Sequence, residues 1–403
     1  MYKKIFTLFA VILFIFYSLE ILLYQFIPNE QKTLTNIKAK RIELAKKMNL
    51  NYDVRSGVSA YFSEKNITED LYTNFYFNKS NFNLNTVKES LKRNELIPFR
   101  GPINKKTLSC AEDLNFKIIN NDKFGFKNPN RIYDKKIEIA LIGDSYAEGL
   151  CENENNDVAG HLRKKNFNTL NLGVTGSGPL LSLATLREYG SNFFPNKVIY
   201  LYFEGNDLID LNWEKKTFLM NYLDTSFKLD YIKSTKDIKE FLQIAHNEKI
   251  SLMKDIYLNE SNTKTTEKNL FGTIKDILEL TNLKNIFRSN FFLDQKKIEM
   301  DLFYRILKEM KIETNRFGGE FLFVYIPSWS RYFTKYNKDK ILFDKKNEIL
   351  NFLKKERINY HDFENEISKS IDKKEYFPLG YMGHFNSFGY KRLSESIINL
   401  INK

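Results

Sequence analysis

The chain has 403 residues, enough for one large domain or two ordinary ones, and its 42% hydrophobic and 15% aromatic content excludes a disordered chain. Two cysteines exclude a disulfide-dense scaffold, and four histidines with no HExxH or His-x-His pair leave little material for a metal centre. The net charge of +12 comes mostly from lysines spread along the chain instead of gathered on one arm, which argues against a nucleic-acid partner.

Lys3 and Lys4 precede an apolar run, Ile5–Leu19, which resumes after Glu20 as Ile21–Ile27 and stops at Pro28. At 1.5 Å rise per residue, about 23 residues could span a hydrocarbon core roughly 30 Å thick. Positive charge before the run predicts a cytoplasmic tail (1–4), a transmembrane anchor (5–27) and a body facing the periplasm or exterior of the inner membrane. No small-x-small cleavage site follows, so an uncleaved anchor is expected over a removed signal peptide. In that oxidising space Cys110 and Cys151 are candidates for one disulfide; two unrelated buried thiols are the alternative.

Residues 28–135 read as a Lys-rich stalk, helical around Ile42–Met48, followed by an irregular cap with turn signals at Pro98, Gly101–Pro102 and Asn128–Pro129. From residue 136 the pattern changes. Ile137–Ile142, Thr169–Leu172 and Lys197–Phe203 read as short buried strands, each followed by a turn and, for the first two, a helical stretch. This alternation predicts an α/β fold, a parallel sheet covered on both faces, with functional groups at the C-terminal strand ends. The alternation lapses over about 210–315, where spacing at Ile274, Ile277 and Leu278, and at Leu302, Ile306 and Met310, predicts a helical insertion. Phe321–Ile326 and Ile358–His361 read as the fourth and fifth strands. A last helix carries Leu393, Ile397 and Ile401.

Ser145 stands at the turn from the first strand into a helix, where a hydroxyl is lifted from the sheet and helix N–H groups face it. Taken alone, Gly-Asp-Ser is an ordinary capped turn. Gly176, in the Gly-rich turn after the second strand, lets a backbone N–H approach a substrate oxygen. Asn206, after the third strand, offers a side-chain amide donor. His384, just before the final helix, is placed to take a serine proton. Asp144 and Asp207 read as turn-bonding residues around the nucleophile.

These four positions resemble the SGNH (GDSL-type) hydrolase family: Gly143-Asp144-Ser145, Gly176, Asn206 and His384 stand in the family's order. The resemblance covers roughly residues 136–403 apart from the insertion. It implies a three-layer α/β/α sandwich with a flavodoxin-like parallel sheet. Ser145 would be the nucleophile and His384 the base, with the Ser145 N–H, Gly176 N–H and Asn206 forming an oxyanion hole. It also implies acyl-ester cleavage or transfer with no metal and no cofactor. Two departures stand out. Position 204 is Glu where the family has Gly, so Glu204 is a candidate to narrow the site or contact a hydroxyl-bearing substrate. Position 381 is Tyr where the family has the acid that orients the histidine; Glu375, Asp372 and Asp362 are candidate substitutes. The expected activity is a membrane-anchored esterase or acyltransferase on acyl esters of an envelope glycan or lipid. The alternative is a non-catalytic binding or assembly protein on the same fold.

Overall fold

The structure is a computed structural model that describes residues 2–26, 30–77, 79–93, 96–262, 280, 298–334 and 340–402. The helical spacing at Ile274, Ile277 and Leu278 falls outside the described residues. The chain divides into two units. One, residues 1–43 and 255–297, contains the helix Tyr2–Phe26. Among the described residues no helix is long and apolar enough to cross a membrane, so the spanning helix expected at 5–27 has no counterpart among them.

The other unit, residues 44–254 and 298–403, carries both sheets. A small one forms in the cap. Strand β1 (Leu71–Tyr72) pairs parallel with β2 (Lys106–Leu108), which pairs antiparallel with β3 (Ile118–Asn120). The main sheet is built from β4 (Ile139–Gly143), β5 (Thr169–Asn171), β6 (Lys197–Phe203), β7 (Glu320–Ile326) and β8 (Asn359–Asp362). All its pairings are parallel, in the order β5-β4-β6-β7-β8. The chain order therefore reverses between β4 and β6, which opens a crevice at their carboxyl ends.

The strands are apolar on both sides because helices cover both faces. Ala140, Ile142, Val198, Tyr200, Phe321 and Phe323 point one way, into a core shared with the helices Pro179–Glu188, Met300–Arg316 and Lys346–Lys355. Cap residues Phe75, Phe77, Ile97, Phe99 and Phe126 belong to that same core, so the cap folds as part of the domain. Ile139, Leu141, Ile199, Leu201 and Val324 point the other way, against the helices Val158–Lys164, Glu364–Lys369 and Ser387–Ile401. Successive side chains alternate between faces as a period of two requires.

Candidate active site

Strand β4 ends at Gly143, whose φ of 141° is open to glycine; a Cβ there would lie 2.5 Å from the Leu201 carbonyl on β6. Asp144 then caps a one-turn helix, Ser145–Glu148, by accepting the Tyr146 N–H at 2.8 Å. This cap sets Ser145 at the crevice. His384 arrives from the other end of the chain. Its loop is closed by Asn386, which caps the final helix at the Gly389 N–H (2.9 Å), and by Tyr146, whose hydroxyl donates to the Gly383 carbonyl at 3.3 Å. The result is direct contact: His384 Nε2 lies 2.8 Å from Ser145 Oγ.

His384 Nδ1 lies 3.1 Å from Glu112 Oε2, and the same oxygen accepts the His384 backbone N–H at 2.6 Å. An ionised carboxylate only accepts, so it holds the proton on Nδ1 and leaves the Nε2 lone pair facing the serine. The carboxylate that meets His384 is therefore Glu112, from the cap, and not Glu375, Asp372 or Asp362. Asp362 pairs with Lys346 at 2.7 Å, Asp372 caps its own turn, and Glu375 accepts from Ser370 at 3.0 Å. The segment carrying Glu112 is braced by Tyr52, whose hydroxyl donates to the Ala111 carbonyl at 2.7 Å. It is also tied to the segment after the Ser145–Glu148 helix by a disulfide between Cys110 and Cys151, with Cα atoms 4.8 Å apart. Glu112, His384 and Cys151 are near enough to suggest a metal site. The Cys151 sulfur, however, is in the disulfide and has no thiolate to offer.

The loop after β5 folds back on the turn that carries Ser145. The Val174 N–H and Ser177 hydroxyl both donate to the Gly143 carbonyl, at 3.0 and 2.9 Å, with Gly176 (φ 74°) between them. Thr175 is held through its N–H (2.9 Å) and hydroxyl (2.6 Å) by buried Glu148, which also pairs with Arg100 from the cap at 2.9 Å. Buried Glu214 accepts the N–H groups of Gly178 (2.6 Å) and Leu180 (2.9 Å) at the start of the next helix, while burial pushes its carboxyl up to about 7.

Asn206 opens the helix Asp207–Glu214, and its side chain sits by Asp144, whose charged form it helps stabilise; its Oδ1 is buried without a hydrogen-bond partner. Asp207 accepts the Tyr200 hydroxyl (2.7 Å) and the Phe203 N–H (3.2 Å). Burial raises Asp144 to about 6, and burial together with the Asp144 charge holds Asp207 well above the carboxylate range. Asp210 is raised to about 8, again by burial first and then by the charges of Glu214 and Asp144.

Glu204 does not enter the crevice. It is fully buried, accepts the Ser328 N–H at 2.8 Å and the Arg331 Nε at 2.8 Å, and also binds the Tyr325 hydroxyl. The expectation of a substrate contact is corrected: a carboxylate at that strand end is neutralised by Arg331 of the short helix Trp329–Phe333, which follows β7. Histidines outside the site have their own partners: His361 pairs with Glu366 at 2.9 Å, and His246 Nδ1 lies 3.1 Å from the Thr73 N–H.

No protein-family model and no curated protein matches the chain. Among solved structures it is similar to one from Bacteroides fragilis described as a "putative acylhydrolase", at 13% identity over 66% of this chain and 86% of that one. The TM-score is 0.32, too low to carry an argument, so the site rests on its own geometry.

Proposed function

We propose that the protein is a serine acyl-ester hydrolase or acyltransferase working through Ser145, His384 and Glu112. The observation that carries this reading is the unbroken chain Ser145 Oγ–His384 Nε2 (2.8 Å) and His384 Nδ1–Glu112 Oε2 (3.1 Å), set where the strand order reverses. Ser145 Oγ attacks the ester carbonyl and its proton passes to Nε2, giving an imidazolium beside the Glu112 carboxylate. The tetrahedral oxyanion is received by the Ser145 and Gly176 N–H groups and the Asn206 amide. Collapse expels the alkoxide, which takes the proton back from Nε2 and leaves an acyl-serine. Water or an acceptor alcohol then repeats the cycle, with its proton again going to Nε2.

The basic residues before the apolar run 5–27 support anchoring at the inner membrane, with the body in the periplasm. The disulfide fits such an oxidising compartment. An acylated envelope glycan or lipid is the substrate class proposed. The contact of Glu112 with His384 supports this reading over that of a non-catalytic binding protein on the same fold. The test uses the full chain in detergent with p-nitrophenyl acetate and a fluorophosphonate probe. Turnover and a single covalent adduct are expected, and both should vanish in Ser145→Ala and His384→Ala. No turnover and no adduct from the folded wild-type protein would overturn the proposal.

A further inference from the structure

A second cavity, about 540 Å³, opens in the cap and touches none of Ser145, His384 or Glu112. Its walls are mostly apolar, with Tyr61, Leu84, Leu108, Phe116 and Leu252 among them. Thr73, Asn74, Asn81, Asn83, Ser109 and Lys249 add polar groups to that lining. Lys249, from the helix Thr235–Asn262, reaches in and donates to the Asn74 carbonyl at 2.6 Å. Among the described residues no carboxylate pairs with it, and burial alone pulls its amine down to about 8. Asn74 donates through Nδ2 to the Leu108 carbonyl at 2.9 Å, while its Oδ1 is buried with no hydrogen-bond partner. A cation held in an apolar cavity without a counter-charge, beside an unused acceptor, is costly unless a ligand completes it. The volume falls in the range of small-molecule sites, and an apolar lining with a few convergent polar groups is their usual character.

We propose that this cavity binds an amphiphilic carboxylate, a fatty-acid-like anion whose head pairs with Lys249 and whose chain lies along Tyr61, Leu84, Phe116 and Leu252. A single ammonium matches a single negative charge, and the apolar walls suit an alkyl chain better than a free inorganic anion. Asn74 Oδ1 would accept from a water or hydroxyl at the head. The site stands independently of the Ser145 chemistry. The test is a fluorescence titration of the full chain with 11-(dansylamino)undecanoic acid and with its primary amide. Saturable binding of the acid is expected, at least tenfold tighter than the amide. Lys249→Met should abolish that preference, Lys249→Arg should retain it, and protein blocked at Ser145 by a phosphonate should bind the acid as before. Equal binding of acid and amide by the wild type, or loss of binding on blocking Ser145, would overturn the proposal. The acid-to-amide comparison on unmodified protein decides it even if Lys249→Met fails to fold.

Discussion

Replacing Glu112 by Gln is the sharpest test of the site. Both N–H groups of His384 go to one oxygen of Glu112, Oε2, at 2.6 and 3.1 Å. A Gln side chain with its carbonyl oxygen in that place keeps both hydrogen bonds and the histidine tautomer. What it loses is the negative charge that meets the imidazolium once Nε2 has taken the serine proton. At 3.1 Å and an effective dielectric near 20, that attraction is about 5 kcal/mol. The side chains of Glu112 and His384 are 15% and 20% exposed, so solvent reduces the effect to about 3–5 kcal/mol, or roughly 10²–10⁴ in kcat. Glu112 faces His384 on the side away from Ser145, so KM should stay within a few-fold. The assay is steady-state ester hydrolysis with the melting temperature measured alongside. Activity within fivefold of wild type, in a protein that melts normally, would refute the assignment of Glu112. A fall in KM-dependent binding with kcat unchanged would refute it equally.

Other consequences can be checked in parallel. Cys110→Ala removes a crosslink between residues 41 apart, worth about 4 kcal/mol of unfolded-chain entropy. Because Cys110 lies two residues from Glu112, activity should fall in denaturant before global unfolding, as read by turnover against circular dichroism. Asp210, raised to about 8, favours the folded state while protonated, so its contribution is full below pH about 4 and is lost as pH rises through about 8. Asp210→Asn should therefore flatten the decline in melting temperature between pH 5 and 8, by up to roughly a few kcal/mol at the alkaline end. Glu204→Gln leaves Arg331 with no full counter-charge and should cost about 3–5 kcal/mol in urea unfolding. Surviving folded protein should keep its KM, because Glu204 is fully buried and bonded to Ser328 and Arg331.

The main sheet was readable because strands buried on both faces must be apolar throughout. Ile139–Gly143, Lys197–Phe203 and Glu320–Ile326 stand out against the Lys- and Asn-rich chain around them. The positions of Ser145, Gly176, Asn206 and His384 were readable for a related reason: each follows or precedes such an element, so topology alone brings them to one edge. Glu112 has no such marker. It lies in an irregular stretch between β2 and β3, and its role depends on a tertiary contact with a residue 272 positions away. Glu204 misled for the same reason. Its partner Arg331 follows a strand more than a hundred residues later, and a sequence shows a carboxylate but not the arginine that neutralises it.

One signal did point to the acid, though its meaning was local only in three dimensions. Cys110 and Cys151 flank the two ends of the contact, one just before Glu112 and the other just after the helix Ser145–Glu148. An acid delivered three residues before its histidine is positioned by the short chain between them. One delivered from a separate cap must be held against the entropy of a long loop, and each added residue of freedom loosens the hydrogen bond it has to keep. A covalent tie beside the acid, backed by the Tyr52 bond to Ala111 and the cap's Arg100 pairing with Glu148, supplies that restraint. The cap thus supplies the carboxylate that meets His384 and is not merely a cover over the sheet.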